Sequence, residues 1–211
     1  MRARNEGRTA RSEGLASLGS DRGFTLVEML IVVVLVGAAV GFGIEGLRTY
    51  RETQRAHAGA VQVVTVLNHA KSRAVTMNQP VIVDLAPGGL NPSDGFYQVY
   101  ADTDGDATLD AGEVAAANLA ETTERSGMVG YQLPAAMGFG QPQGASTGPL
   151  GITAASDGVS FTNNQVTLLP DGTATEAGHL MLFDDDDRAY AVTLTAGGAV
   201  RMYRFDGSGW R

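Results

Sequence analysis

Residues 24–44 are an apolar run interrupted by one acid, Glu28, and preceded by a basic segment that ends at Gly23. No other feature limits the fold as strongly. The run has 21 residues, and at about 1.5 Å per residue a helix of that length reaches roughly 30 Å, enough to cross a bilayer core. An ionised carboxylate in lipid is costly unless it is paired. Glu28 therefore either snorkels to the headgroups or meets a cation. A cut after Gly23 would supply one, the new amino group of Phe24.

The segment before the run carries Arg2, Arg4, Arg8, Arg11 and Arg22 against Glu6, Glu13 and Asp21, a net of +2, and has no apolar stretch of its own. An ordinary secretory signal holds its apolar core before the cut and loses it on processing. A cut after Gly23 would precede the apolar segment, which the mature chain would keep. Positive charge holds the leader in the cytoplasm, which places the C-terminal part outside the inner membrane, in the periplasm. The whole chain has a formal charge of −8, and loss of the leader leaves −10. A chain this acidic is not a general nucleic-acid binder. It has no cysteine, so it has neither a disulfide framework nor a thiolate metal site.

Four segments follow: a cleaved leader over 1–23, a transmembrane half-helix over 24–45, a periplasmic continuation over 46–77 and a β-rich domain over 78–211. From Leu47 to Met77 there is no proline and one glycine, Gly59. Ala60, Val63, Val64, Leu67, Ala70 and Ala74 recur at three- and four-residue spacing, a stripe suited to packing on a sheet. Arg48, Arg51, Glu52, Arg55 and Lys71 are expected to face water or headgroups. Asn78-Gln79-Pro80 ends the helix. Gly37 and Gly41 form a small-xxx-small pair, either a packing face or the ordinary glycine content of a membrane helix.

Short β-branched and aromatic runs then alternate with Gly, Pro and Asp. Strands are expected at Val81–Val83, Phe96–Tyr100, Ser160–Phe161, Gln165–Leu169, Leu180–Phe183, Tyr190–Thr195 and Ala199–Phe205, with a hairpin turn at Gly197-Gly198. The fold class is α+β: one long N-terminal helix packed on a C-terminal β-sandwich of short antiparallel strands. Pro134–Gly158, rich in Gly, Pro, Ala and Ser, reads as an extended surface loop.

The leader, Gly23-Phe24 and Glu28 resemble the class III signal and N-terminal helix of type IV pilins and type II secretion pseudopilins. His69-Ala70-Lys71-Ser72-Arg73-Ala74-Val75, Asn78-Gln79-Pro80-Val81 and Leu169-Pro170-Asp171-Gly172 resemble the GspH/FimT group of minor pseudopilins and minor pilins. The resemblance implies processing between Gly23 and Phe24 by a prepilin peptidase, methylation of the new terminus, and a role for Glu28 in assembly. It implies other pseudopilins or minor pilins as partners, an inner-membrane assembly platform with its ATPase, and a place near a filament tip. It implies neither enzymatic chemistry nor a cofactor. The favoured expectation is a minor pseudopilin of a type II secretion system that primes or caps the pseudopilus. The alternative is a FimT-like minor pilin in pilus assembly or DNA uptake. Some FimT-like proteins bind DNA through a C-terminal Gly-Arg-x-Arg pattern. The matching stretch here is Gly198-Ala199-Val200-Arg201, so the first arginine is replaced. Arg201, Arg204 and Arg211 remain as the nucleic-acid candidates, with Arg188 adding to the local positive charge and Tyr203 and Trp210 available for stacking.

Asp102, Asp104, Asp106, Asp110 and Glu113 fall at positions 1, 3, 5, 9 and 12 of an EF-hand-like loop, the alternation of hard oxygen ligands that Ca²⁺ requires. Position six is Ala107 rather than glycine, and a strand rather than a helix precedes it, so a solvated β-turn is the competing reading. The contiguous acids Asp184–Asp187 read as a solvated loop. Gly144-Ala145-Ser146-Thr147-Gly148 matches a hydrolase string but lacks the strand and helix that such a nucleophile needs. His57, His69 and His179 lack metal-ligand spacing, and structural or surface roles are the default.

Overall fold

The computed structural model describes residues 24–105, 123–125, 128–135, 137–142, 144, 147–153, 156–184 and 188–211, with the backbone alone for 42–49 and 123–125. The chain divides into two compact units, Met1–Gly46 and Leu47–Arg211.

Helix α1 is Leu26–Met77. It starts where Thr25 caps it: the Glu28 amide donates to Thr25 Oγ1 at 3.2 Å, satisfying one of the free N–H groups of the first turn. It stops at Asn78, which takes a left-handed conformation with φ 53°. The Gln79 amide then reaches back to the carbonyl of Ala74 at 3.3 Å, the closing bond of a Schellman cap. Pro80 prevents any continuation. In the second unit Ala56, Ala60, Val63, Leu67, Ala70 and Ala74 are all buried, and Val64 is partly buried against them. Four of these six are alanines, so the sheets approach the helix closely.

Nine strands follow among the described residues: β1 (Val81–Asp84), β2 (Phe96–Ala101), β3 (Thr123–Arg125), β4 (Met128–Gln132), β5 (Met137–Phe139), β6 (Gln165–Leu168), β7 (Gly178–Asp184), β8 (Ala189–Leu194) and β9 (Val200–Arg204). They form two antiparallel sheets, ordered β3-β4-β2-β1-β6 and β5-β7-β8-β9. One apolar core takes side chains from α1 and from both sheets. Tyr97 of β2 stacks on Tyr131 of β4 at 5.3 Å and meets Phe139 of β5 edge-on at 5.8 Å. This contact joins the inner faces of the two sheets, as in a sandwich.

The expected strands at 81–83, 96–100, 165–169, 180–183, 190–195 and 199–205 are present within a residue or two at most of their ends. Ser160–Phe161 does not form a strand, and its neighbour Val159 makes an isolated bridge to Leu180. The reading of Pro134–Gly158 as an extended surface loop is corrected. It contains β5, whose three residues are buried, and beyond β5 it runs on along the same edge of β7. The Gly140 amide donates to Met181 O at 3.0 Å, and the Met181 amide donates to Gly158 O at 2.8 Å. Glycine hid this from the pattern: Gly138 lies against the Ser93 backbone and Gly140 against the Phe183 ring, where no side chain fits.

Candidate assembly helix and surface sites

Every large apolar side chain from Phe24 to Val40 is exposed. Such a surface needs lipid or other subunits to cover it. Among the described residues no helix is long and apolar enough to cross a membrane. The span expected over 24–45 runs beyond Gly41, where the described side chains of this stretch end. Gly23 lies outside the described residues, and Phe24 is 71% exposed. Glu28 is the one acid on this surface and is itself exposed. Thr25-Leu26-Val27-Glu28 has the spacing of a capping box, a local signal legible in the sequence. Glu28 thus stands one turn from the end that cleavage after Gly23 would create.

The proposed cation loop lies largely outside the described residues, which exclude Asp106, Asp110 and Glu113. Asp102 is buried, and its Oδ1 accepts from the Gly105 amide at 2.7 Å, while Asp104 is exposed. Among the described residues no group of three or more potential ligands could hold a metal ion.

The C-terminal arginines are not gathered into one patch. Arg201 and Arg204 sit at odd and even positions of β9, which point to opposite faces of the sheet. Val200 and Met202, on the Arg204 side, pack against the core. Arg211 pairs with Asp206 at 2.8 Å and exchanges two backbone hydrogen bonds with Arg204. The turn between them is held by Asp206, whose Oδ1 accepts from the Ser208 hydroxyl and from the Ser208 and Gly209 amides. The Ser208 hydroxyl and then these amides pull its carboxyl down to about 2, with Arg211 adding a smaller pull.

Arg188 is not part of a free basic surface. Its Nε donates to Asp184 Oδ2 at 2.8 Å, its Nη1 to Thr53 Oγ1 at 2.9 Å and its Nη2 to Glu52 Oε2 at 3.3 Å. This clamp ties the β7–β8 connection to α1, and it corrects two expectations. Glu52 is engaged rather than simply solvated, and Asp184, the first residue of the acidic run, is buried and paired. Asp185, Asp186 and Asp187 lie outside the described residues. Lys71, also expected at the surface, donates from Nζ to Gly198 O at 2.8 Å. No sequence signal announces the Arg188 clamp, because its partners on α1 are 135 and 136 residues away. His57 and His69 are exposed. His179 is fully buried.

A profile of the type II transport protein GspH matches residues 59–198, and the prokaryotic N-terminal methylation motif matches residues 19–44. No curated protein matches the chain. Among solved structures it is similar to the minor pseudopilin EpsH from the type 2 secretion system of Vibrio cholerae, with a TM-score of 0.43 and 13% identity over 70% of this chain and 95% of that one. It is also similar to the type IV minor pilin FimU of Pseudomonas aeruginosa, with a TM-score of 0.42 and 10% identity over 77% of this chain and 96% of that one. The GspH profile covers about two thirds of the sequence, including the end of α1 and β1 to β8, and the chain belongs to the GspH family of type II transport proteins.

Proposed function

We propose that this protein is a minor pseudopilin of a type II secretion system, processed between Gly23 and Phe24 by a prepilin peptidase and held in the inner membrane by the first half of α1. Its sheet domain lies in the periplasm, and its helix joins other pseudopilins to prime or cap a short filament. The observation that carries this reading is the unbroken exposed apolar surface from Phe24 to Val40, with Glu28 as its one acid. In lipid, a carboxylate there is stabilised by meeting the Phe24 amino group of the neighbouring subunit. An inner-membrane platform and its ATPase supply the energy for assembly.

Two substitutions separate the steps. Gly23→Ala blocks cleavage, and the chain keeps its leader on a gel. Glu28→Gln preserves the backbone cap from Thr25 and is cleaved, yet it fails to co-purify with the other pseudopilins. Normal cleavage of the first variant, or normal co-purification of the second, overturns the corresponding assignment.

A further inference from the structure

His179 lies on the outer face of the second sheet with no exposed surface, and neither ring nitrogen has a hydrogen-bond partner among the described residues. It shares a cross-strand row with Thr193 and Arg201. Above it sits a small hairpin closed by a bridge between Thr147 and Thr153. Gly148 of that hairpin lies so close to the imidazole that a Cβ there would fall among the ring atoms. The hairpin is joined to the C-terminal turn through Trp210, whose Nε1 donates to Thr147 O at 2.8 Å. Trp210 in turn packs on Met181 and Ala191, the next row of the sheet.

A neutral imidazole tolerates this site, but an imidazolium does not. Thr147–Thr153 contains no charged residue. From β8 the ring faces Thr193, which is uncharged. Arg201 of β9, a second cation, lies on the same face one strand beyond Thr193, with Tyr203 two residues further on. Ser160, which accepts from the His179 amide at 2.7 Å, is neutral. Asp157 is engaged with the Val159 amide and with Asn164 Nδ2, and Asp206 is paired with Arg211. Burial therefore lowers the pKa of His179 below its ordinary value of 6.5. The backbone of β7 is fixed between β5 and β8. The backbone bonds of the hairpin are internal, from the Gly148 amide to Ile152 O and from the Gly151 amide to Gly148 O, so it can lift without breaking the ladder of the sheet.

We propose that His179 is a pH-sensitive latch: proton uptake from solvent releases the Thr147–Thr153 hairpin and uncovers the outer face of the second sheet. The sign follows from the environment. A depressed pKa means that the closed arrangement is fully favoured above about 6.5 and weakens as pH falls below it.

Trp210 is the single tryptophan of the chain and reports directly on the hairpin. The test uses the full chain in detergent micelles, with acrylamide quenching of Trp210 fluorescence measured from pH 7.5 to 5. Quenching is expected to rise as pH falls, the open fraction growing by up to roughly tenfold per pH unit once His179 begins to protonate. Backbone amides of β1 and β2 stay protected from hydrogen exchange throughout. His179→Leu is expected to give a flat profile. Gly148→Ala is expected to expose Trp210 at every pH, and it carries the test if His179→Leu does not fold. A flat wild-type profile, an unchanged slope in His179→Leu, simultaneous loss of protection in β1 and β2, or a shielded Trp210 in Gly148→Ala would each overturn the proposal.

Discussion

Lys71 Nζ on α1 donates to the carbonyl oxygen of Gly198, 127 residues later, at 2.8 Å. Gly198 has φ +74°, and a side chain there would collide with the Gly172 carbonyl. The helix end, the Leu169–Gly172 turn and the β8–β9 turn therefore meet at one point, where the Ala174 amide also donates to Ala196 O at 2.9 Å. Lys71→Met keeps the aliphatic stem and loses the bond. It is expected to lower stability by about 1 kcal/mol. Gly198→Ala adds both strain and a collision and is expected to cost about 2 kcal/mol or more. Denaturant titration of the two variants checks the order, and a larger effect from Lys71→Met would refute it.

The Arg188 clamp predicts a larger loss. Asp184 is buried, and its side chain is 9% exposed. Arg188→Ala removes the guanidinium from that carboxylate and from Glu52 while keeping the residue-188 amide bond to Asp184 Oδ1, with an expected cost of about 2–3 kcal/mol. Arg188→Ala in an Asp184→Asn background is expected to cost markedly less, because the buried negative charge that the guanidinium offsets is gone. Thermal melting of the double-mutant cycle decides the point, and strict additivity would refute the coupling.

Gly59 lies opposite β5, and a Cβ there would sit 2.6 Å from Met137 Sδ and 3.2 Å from Pro134 Cδ. Gly59→Leu is expected to destabilise the second unit by about 1–3 kcal/mol through overpacking, despite the better helix propensity of leucine. Shortening the neighbour, as in Gly59→Leu with Met137→Ala, is expected to recover part of the loss.

The C-terminal turn should survive in acid. Asp206 has a carboxyl pKa depressed to about 2 against an ordinary 3.8. The folded carboxylate binds protons less readily than the unfolded one. The stabilisation is therefore complete above about 3.8 and is lost as pH falls through about 2. Asp206→Ala removes the acceptor at all pH values and is expected to release Trp210 from Thr147 even at pH 7.5. Trp210 fluorescence in that variant measures the release, and unchanged shielding would rule out an anchoring role for the turn.

Much of this architecture is legible in the sequence, because periodicity and breakers act locally. The 3.6-residue stripe from Ala60 to Ala74 marks the buried face of α1, and Asn78-Gln79-Pro80 marks its end. Most of the strands follow from β-branched and aromatic runs. β4 and β5 escape because Gly130 and Gly138 interrupt short runs. Those glycines are needed because Phe96 and Ser93 press against them, and nothing local records that pressure. The charged residues of α1 divide in the same way. Arg51 and Arg55 are exposed as their helical position implies, whereas Glu52 and Lys71 find partners that only the tertiary fold supplies. The C-terminal arginines are close along the chain but do not make one patch in space: Arg204 and Arg211 are cross-strand neighbours, while strand alternation sends Arg201 to the opposite face.

The most direct test of the account is a clean deletion of the gene, with the secreted proteome and DNA uptake scored together. The account predicts loss of protein secretion with uptake intact, restored by the wild-type chain and not by Glu28→Gln. Intact secretion with loss of uptake would contradict it and turn attention to Arg201, Arg204 and Arg211.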